Sequence, residues 1–554
     1  MATVHFIAHG IAVPVVSGTR LIDAARAAGI RMETPCDGAG TCGKCKAKVC
    51  TGALPNLSND VNKSLTQAER EAGWVLACQT TVHGDLQVEM EAFDSDGLQI
   101  LSEGQRLTVE LAPWIRKSYD RETVTTEVVA GDALLANEPG NTTAEIFGIA
   151  VDIGTTTLVT TLLDLRTGAE LGVTSSLNPQ VVHAQDVLSR IKMGSKPAGL
   201  HKLHAQLIEE ISRQTAHLAF KAGVALESIY EAVFSGNTTM LHLATRTDPA
   251  SLGKYPYTLG LTGGQHVKAR NIDLGISPQG LVYLPPIFSA YVGADITAGI
   301  LSTRLAEQPG VVLLVDIGTN GEMVLSVDGR LTATSTAAGP AFEGMNIACG
   351  MRASRGAVEL VALGEHGIRV ETIAGGDPVG ICGSGLLDVV GELASKGGLD
   401  KNGRFQNNGA SHGHPWRDQW ESLDGKPIFR IAGPVYLTQR DVRQVQLAKG
   451  AIRTGIEMLL KAAGIEAAQV DRVLIAGSFG FHLRTASLLH LGLLPKEFGN
   501  RVEFVGNTSK SGAEAFLLNR DAREEMKQVV AQVEVLELAN DPAFEKSFIQ
   551  SLQF

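Results

Sequence analysis

The stretch of sequence that decides the fold occurs twice, as VDIGTT at residues 151–156 and as VDIGTN at residues 315–320. Each copy follows an apolar run, so each predicts a buried strand that ends in an aspartate and enters a tight, glycine-containing turn. A second pair, SGNTT at 235–239 and VGNTS at 505–509, stands between a strand and a helix start in both halves. This repetition predicts two related α/β lobes between residues 146 and 554.

Both turns suit the binding of phosphate. Glycine and threonine in a turn present backbone N–H groups and hydroxyls to phosphate oxygens, and the preceding aspartate can hold hydrated Mg²⁺. A third segment, VLIAGSFG at 473–480, is a strand that runs into a glycine turn, where adenosine could lie against bare backbone. The chain has no GxxxxGK[ST] loop and no GxGxxG after a strand. One such turn is a common hairpin, whereas the ordered set of three predicts an ATP site.

Five of the seven cysteines lie within the first 78 residues. Cys36, Cys42 and Cys45 have the spacing C-x5-C-x2-C, and Cys78 follows after 32 residues. Four thiolates are what a [2Fe–2S] cluster requires. A zinc site and plain buried cysteines are the alternatives; zinc usually takes two C-x2-C knuckles, and only one is present. The spacing therefore predicts a [2Fe–2S] cluster.

The sequence around these cysteines alternates apolar and polar residues up to about residue 92, which predicts short strands beside a helix at about 20–28. Glycines at 38, 40 and 43 are expected to direct backbone N–H groups at the cluster sulfurs. Cys50 is expected to be a buried or idle thiol. Cys349 and Cys382 are expected to carry no ligand.

The composition is that of an ordinary globular protein, with 554 residues, 44% hydrophobic and 19% charged residues, and a net charge of −11. The acidity argues against nucleic acid as a partner, because phosphate backbones are bound by clustered Lys and Arg. No apolar run approaches the roughly 18 residues of a membrane span, and residues 1–10 lack a signal-peptide pattern. We therefore expect a cytoplasmic protein without a membrane partner.

The cysteine spacing, one residue longer than the plant type, resembles the ferredoxins that serve hydroxylases. The nucleotide segments resemble the ASKHA family of acetate and sugar kinases, Hsp70-type ATPases, hexokinases and actin. Nearly the whole chain resembles the reductive activators of corrinoid-dependent methyltransferases and corrinoid iron–sulfur proteins. This resemblance is carried by the motifs DIGTTT, GNTTM, DIGTNGE, GICGSG and GLLP together with the cysteines.

The resemblance implies an α+β ferredoxin-like (β-grasp) domain at 1–92, a partly structured connector at 93–145 with a strand-like pattern at 107–111, and a two-lobed α/β ASKHA ATPase domain at 146–554. A connector of about 50 residues is too short for the large middle domain that some relatives carry, so we expect this chain to lack one.

Carried over residue by residue, the nucleotide contacts are Gly154, Thr155, Thr156, Gly318, Thr319, Asn320, Gly477, Ser478 and Phe479. Asp152 and Asp316 match the acidic residues that serve Mg²⁺ and the attacking water. Gly383 and Ser384, in a glycine-rich helix start, could approach phosphate through free N–H groups; a tight helix-packing turn is the alternative. Lys449, on a helix that begins with a capping threonine, could contact the nucleotide, but we expect a solvated lysine.

In that family the [2Fe–2S] cluster supplies one electron to cob(II)alamin and so regenerates cob(I)alamin. Plant-type [2Fe–2S] centres lie near about −400 mV, and the corrinoid couple lies lower. The transfer is uphill, since each ~59 mV costs a factor of ten, and ATP hydrolysis would reset the complex. The implied partners are the corrinoid protein of a methyltransferase system and an upstream low-potential electron donor; a homodimer is compatible with the resemblance.

Three other functions stay open at this point. The chain could be an ATP-gated electron donor to another low-potential acceptor, a nucleotide-gated redox sensor, or a metabolite kinase. In a kinase the fused cysteine domain has no role.

Overall fold

The computed structural model describes residues 1–28, 30, 32, 40, 45–52, 65–90, 107–406, 414–477, 483–538 and 541–554. The chain forms two compact units. The first contains residues 1–99, 181–185 and 340–446, and the second contains residues 100–180, 186–339 and 447–554.

The strands, numbered in chain order, are β1 (Ala2–Phe6), β2 (Ile11–Val15), β3 (Thr19–Arg20), β4 (Lys46–Thr51), β5 (Trp74–Leu76), β6 (Thr81–Val82), β7 (Leu86–Glu89), β8 (Ile115–Asp120), β9 (Thr125–Ala130), β10 (Ala133–Pro139), β11 (Phe147–Ile153), β12 (Thr157–Asp164), β13 (Glu170–Leu177), β14 (Ile229–Gly236), β15 (Gln265–Lys268), β16 (Leu281–Leu284), β17 (Val311–Ile317), β18 (Gly321–Val327), β19 (Arg330–Thr336), β20 (Ala357–Gly364), β21 (Gly367–Thr372), β22 (Gly380–Ile381), β23 (Trp420–Leu423), β24 (Lys426–Ala432), β25 (Val435–Thr438), β26 (Arg472–Ala476), β27 (Val502–Gly506) and β28 (Glu534–Val535).

The α-helices are α1 (Leu21–Ala27), α2 (Gln67–Glu71), α3 (Val187–Gly194), α4 (Pro197–Ala222), α5 (Thr238–Ala244), α6 (Ala294–Thr303), α7 (Gly383–Ser395), α8 (Gln439–Ala463), α9 (Thr485–His490), α10 (Thr508–Leu518), α11 (Asp521–Gln532) and α12 (Phe544–Ser551). Among the described residues, no helix combines the length and the apolar character needed to cross a membrane.

The N-terminal part of the first unit is a five-stranded sheet in the order β2-β1-β7-β4-β5 with the short pair β3-β6 beside it. Along β1 the side chains of Ala2, Val4 and Phe6 are buried in alternation, as expected of a strand with one face on a core. β1 and β7 run parallel, and α1 supplies buried Leu21 and Ile22 to the same core. The predicted helix and flanking strands are confirmed. The rest of this unit holds the three-stranded sheets β21-β20-β22 and β23-β24-β25 and helix α7.

The second unit contains two six-stranded sheets, β13-β12-β11-β14-β16-β15 and β27-β26-β17-β18-β19-β28. In chain order, the first three strands of each sheet are consecutive and antiparallel: β11–β13 in one sheet and β17–β19 in the other. In each, the first of these strands then pairs in parallel with a later strand, β14 or β26. The internal repeat predicted from the two DIGT turns is confirmed by this shared topology.

Helices α6 and α10 pack against each other in the second unit, and α10 also lies against β11 and β14. Their backbones approach so closely that a Cβ on Gly512 would clash with the carbonyl of Ala298. Asn507 begins α10 by accepting a hydrogen bond from the Lys510 N–H at 2.9 Å. The start of α10 is thereby placed beside the end of β11.

The predicted connector contains a three-stranded antiparallel sheet, β10-β9-β8. The connector is therefore partly structured, as predicted, although the strand-like pattern at 107–111 does not itself form a strand and the strands begin at Ile115. Leu107 and Val109 pack against the core of the second unit as irregular backbone. Packing of these two side chains against the core explains the alternation of apolar and polar residues at 107–111, although this segment is not a strand.

Candidate functional site

The first DIGT turn is held by the second half of the repeat. Asp152 lies on β11, one residue before its end, and its two carboxylate oxygens accept hydrogen bonds from the Asn507 side-chain amide at 2.8 Å and the Ser509 hydroxyl at 2.7 Å. Asn507 and Ser509 belong to the VGNTS motif at the start of α10. One copy of the GNT motif therefore orients the acidic residue of the opposite copy's turn.

The other GNT motif holds the turn itself. Asn237 begins α5, and its side-chain amide donates to the Thr155 hydroxyl at 3.0 Å. Thr156 is 7% exposed, and its buried hydroxyl has no hydrogen-bond partner among the described residues. A buried hydroxyl without a partner is costly unless a ligand completes it. The predicted contacts Gly154, Thr155 and Thr156 thus lie together in a turn whose Thr156 hydroxyl could still form a hydrogen bond with a ligand.

The second DIGT turn meets the third predicted segment. Within it, the Gly318 N–H donates to the Asn320 carbonyl at 2.9 Å, and the Thr319 carbonyl accepts from the Gly339 N–H at 2.9 Å. Gly477 has φ +114°, and a Cβ there would clash with the Ile317 carbonyl and stand 3.1 Å from Asp316 Oδ1. Only glycine fits this position without strain. The structure therefore places Gly477, the one described residue of the predicted adenosine motif, directly against the second turn.

Four carboxyl groups converge between the two turns, and two of them were not predicted. Asp316 and Glu322 are direct cross-strand partners in the β17–β18 hairpin. Asp295 lies in the first turn of α6 and interacts electrostatically with Asp316 and Asp152. The hairpin register could have indicated Glu322 from the sequence, because residues opposite each other share a face. No sequence motif around Asp295 indicates its role, since only the packing of α6 brings this residue to the turns.

Burial and mutual repulsion shift these four groups in one direction. Burial raises the pKa of Asp152, although the hydrogen bonds from Asn507 and Ser509 oppose the shift. Burial, and then the charge of Asp152, raise the pKa of Asp316 to about 7. Burial and the charges of its neighbours likewise raise the pKa of Asp295 and, well above its usual range, that of Glu322. Each shift means that the folded protein opposes a full set of negative charges here.

Within the described residues, none of the four carboxylates forms an ion pair with a lysine or arginine. Buried like charges without a cation are destabilising unless an ion occupies the site. Hard oxygen ligands beside a turn that is predicted to bind phosphate suit Mg²⁺, which is usually held by one or two carboxylates together with water and substrate phosphates. The residues present therefore fit Mg²⁺ with a nucleotide polyphosphate.

Gly383 and Ser384 lie in the first unit, at the beginning of α7. A Cβ on Gly383 would clash with the Phe342 carbonyl, so this glycine is required by close packing of the helix start. Ser384 is buried, and its hydroxyl lies 3.4 Å from the Cys382 sulfur. Packing accounts for the glycine at 383, and the role of Gly383 and Ser384 in nucleotide binding stays a prediction.

The described part of the cysteine site brings two predicted ligands together. Cys45 precedes β4 and Cys78 follows β5; these strands pair, and the Ala77 N–H donates to the Cys45 carbonyl at 2.8 Å. Both side chains are almost completely buried, with 1% and 2% exposure. A hydrogen bond from the Cys45 thiol lowers the pKa of Cys78 to about 6, and the Gln79 amide and the Gly40 N–H act in the same direction. Donors that stabilise a thiolate fit an iron–sulfur ligand.

Several predicted site residues lie outside the described residues, namely Cys36, Cys42, Ser478 and Phe479, together with Gly38 and Gly43. Cys50 is exposed and lies on β4. Within the described residues, Cys349 and Cys382 form no disulfide.

Lys449 does not lie on a solvated face, and that expectation is wrong. Its side chain is 1% exposed and donates to the Gln553 carbonyl, because α12 and the residues after it pack over this part of α8. Burial lowers the pKa of Lys449 to about 8.

Three family models match consecutive parts of the chain. A 2Fe-2S iron-sulfur cluster binding domain matches residues 6–83, the RACo middle region matches residues 147–308, and the C-terminal domain of RACo, the ASKHA domain, matches residues 310–554. The middle region that we expected the chain to lack therefore follows the connector, where we had expected the first lobe. This region contains the first copy of the DIGT turn, and for that reason we had assigned it to the ATPase domain.

Two curated relatives are similar to most of the chain. The corrinoid activation enzyme RamQ of Eubacterium limosum is 32% identical over 87% of this chain and 83% of its own length. The [Co(II) methylated amine-specific corrinoid protein] reductase of Methanosarcina barkeri is 25% identical over 74% of this chain and 77% of its own length.

A solved structure of a reductive activator for corrinoid, iron-sulfur protein has a TM-score of 0.73 and 31% identity, and the match covers 100% of this chain and 98% of that one. With the family models, this likeness confirms the predicted fold class of a ferredoxin-like domain followed by an ASKHA domain.

Proposed function

The chain belongs to the family of reductive activators of corrinoid proteins, and from this premise we propose that it couples ATP hydrolysis to the one-electron reduction of cob(II)alamin to cob(I)alamin. It is an enzyme that acts on a corrinoid protein and carries an iron–sulfur domain. The ATP coupling, the nature of the metal centres and the residue roles given below are the proposal.

The observation that carries the ATP half is the convergence of four buried carboxyl groups on two glycine turns. Asp152, Asp316, Asp295 and Glu322 lie where Asn507 and Gly477 also meet these turns. Bound there, Mg²⁺ would supply positive charge that neutralises the phosphates as they develop charge. Without a cation the same groups repel one another, so nucleotide and metal should bind together.

Each residue of the nucleotide site has a distinct task in the proposal. Asp152, fixed by two hydrogen bonds, holds the hydrated metal, and Asp316 orients the water that attacks the γ-phosphate. Thr156 supplies a hydroxyl that no other described residue binds. The turn at 318–320 binds the phosphates from the second copy, and Gly477 with Ser478 and Phe479 receives adenosine.

The electron is proposed to pass through a [2Fe–2S] cluster held by Cys36, Cys42, Cys45 and Cys78. When bound, the cluster supplies a single electron at low potential. The Gly40 N–H and the Gln79 amide donate to Cys78, and such donors tune the potential by stabilising charge on sulfur. Burial of Cys45 and Cys78 excludes water from this side of the site.

ATP is needed because the electron transfer is uphill. A protein whose nucleotide states bind the corrinoid protein with different affinities can shift cobalt ligation or retain the reduced state, and only differential affinity can do so. We further propose the limits 1–92 for the iron–sulfur domain, 93–145 for the connector and 146–554 for the middle region together with the ASKHA domain. An upstream low-potential electron donor, a homodimer and a cytoplasmic location also belong to the proposal.

A single-turnover experiment tests the proposal. Protein with a reduced cluster is mixed with Mg-ATP and a corrinoid protein in the Co(II) state, and cob(I)alamin is followed by its absorbance. We expect rapid formation that requires ATP and is lost in Asp316→Asn, while the exposed-site variant Asp418→Asn behaves as wild type.

Two outcomes would contradict the proposal. One is cob(I)alamin formation at the same rate without nucleotide. The other is no formation with several corrinoid partners alongside rapid, ATP-independent reduction of a different acceptor. Phosphate transfer from ATP to a sugar or a carboxylic acid would favour a kinase instead.

A further inference from the structure

The carbonyl groups of the first phosphate turn are all bound by the protein. The Gly154 carbonyl accepts from the Asn178 side-chain amide at 2.8 Å, and the Thr156 carbonyl accepts from the Asn178 backbone N–H at 2.8 Å. The Thr155 carbonyl between them accepts from a guanidinium nitrogen of Arg190. Two residues from outside the turn therefore fix three successive peptide planes.

Fixing these carbonyls also fixes the direction of the N–H groups. In a planar trans peptide the carbonyl of one residue and the N–H of the next point to opposite sides. The carbonyls of Gly154 and Thr155 face Asn178 and Arg190, so the N–H groups of Thr155 and Thr156 face the other way. A concave row of N–H groups is the arrangement that binds phosphate oxygens.

Arg190 is an unusual residue in this position. It lies on the short helix α3 and is completely buried, with 0% exposure. One guanidinium nitrogen donates to the Thr155 carbonyl and a second lies 2.8 Å from the Met240 sulfur of α5. Thr155 is thus held twice from neighbouring helices, because Asn237 at the start of α5 binds its hydroxyl.

The charge of Arg190 acts in the same direction as its hydrogen bond. A guanidinium keeps its proton in proteins, so a full positive charge is buried directly behind the turn. In a poorly solvated region this charge attracts the anionic phosphates more strongly than it would in water. The buried hydroxyl of Thr156, which has no hydrogen-bond partner in the described part of the chain, is an independent indication that the turn binds a ligand.

We propose that Arg190, assisted by Asn178, is a positioning residue for phosphate binding, which holds the first turn with its N–H groups directed at the nucleotide polyphosphate. This inference rests on the proposed function, since it assumes that the turn binds ATP. The proposal adds a positively charged residue behind the turn that is not part of either DIGT motif.

The test compares nucleotides that differ only in their phosphates. Dissociation constants for Mg-ATP, Mg-ADP and adenosine are measured with the full-length protein carrying its cluster, for wild type, Arg190→Met, Arg190→Lys and Asn178→Ala. Arg213→Met is the matched control, because Arg213 lies in the same unit, is 62% exposed and pairs only with Glu210 within the described residues. Reduction of an artificial acceptor by the reduced cluster, without nucleotide, reports that the variants are otherwise intact.

We expect Arg190→Met to weaken Mg-ATP binding by about tenfold to a hundredfold, in line with the loss of a charged hydrogen bond. Adenosine binding should change by less than about twofold, since adenosine carries no phosphate for the first turn to bind. Arg190→Lys keeps the charge and should lie between wild type and Arg190→Met. Asn178→Ala should show the same selectivity for the phosphate-bearing ligands.

The inference is overturned if Arg190→Met binds Mg-ATP as wild type does, or if adenosine binding is weakened as much as ATP binding. If both Arg190 variants fail to fold, the phosphate selectivity of Asn178→Ala decides the question in the same way. Absence of Mg-ATP binding in wild type would overturn the proposed function itself, and the inference with it.

Discussion

Replacing Asp316 by asparagine is expected to make the metal-free, nucleotide-free protein more stable at pH 8, although it abolishes ATP hydrolysis. Burial and the charge of Asp152 raise the pKa of Asp316 from 3.8 to about 7. In the unfolded chain the group ionises near its usual pKa, at about 4. The folded state therefore loses stability relative to the unfolded chain as pH rises from about 4 to about 7, and the loss is complete above pH 7.

The size of the effect follows from the same shift. About three pH units at about 1.36 kcal/mol each set an upper limit of roughly 4 kcal/mol. Asparagine has nearly the same shape and cannot ionise, so it removes this penalty. We expect a gain of about 2 kcal/mol, because the three remaining carboxyl groups ionise more readily once one charge has gone.

The assay is urea unfolding in EDTA at several pH values between 5 and 8, for wild type, Asp316→Asn and the exposed-site control Asp418→Asn. The gap between Asp316→Asn and wild type should widen up to pH 7 and then stay constant, and saturating Mg-ATP should reverse its sign. Equal stability at every pH, or a variant less stable than wild type in EDTA, would refute the reasoning.

Three further changes test other parts of the structure. Gly477→Ala should cost about 1–3 kcal/mol of unfolding free energy and abolish ATP binding, because φ is +114° and a Cβ would meet a carbonyl of the second turn. The control is Gly464→Ala, where φ is +66° and a Cβ would meet open space. This variant should cost about 1 kcal/mol and leave ATP binding unchanged. Cys78→Ser should lose the cluster's visible absorption and keep ATP binding, whereas exposed-site Cys50→Ser should keep both; an intact cluster in Cys78→Ser would exclude it as a ligand. Lys449→Met should raise the unfolding free energy at pH 7 by up to about 3 kcal/mol, because burial lowers the pKa from 10.5 to about 8 and penalises the charged form below pH 8; the gain should vanish as pH rises towards about 10, and no gain at pH 7 would contradict the burial penalty.

The parts of the site that the sequence predicted are those in which neighbours along the chain do the chemistry. The turns after Asp152 and Asp316 are local in this sense. Cys45 and Cys78 are separated by 32 residues, but their residue type and spacing identified them, and the structure brings the two together. The repeated topology of the two sheets followed from one repeated motif, because the same strand–turn pattern imposes the same pairing.

The parts that the sequence did not predict depend on contacts between distant segments. Asp295 reaches the turns only through the packing of α6, and Arg190 only because α3 is buried against α5 and the first turn. Lys449 looked like a surface residue because the chain that covers it comes about a hundred residues later. The middle region was missed for the opposite reason, since its local pattern matched the ATPase half too well.

The pairing of Asp316 with Glu322 across the β17–β18 hairpin limits how this gene can vary. Side chains on a strand alternate between faces, so inserting or deleting one residue in the turn at 318–320 would send the Glu322 carboxylate to the opposite side of the sheet. Changes in the length of this turn therefore remove a carboxylate from the site. Natural relatives should keep the same number of residues here.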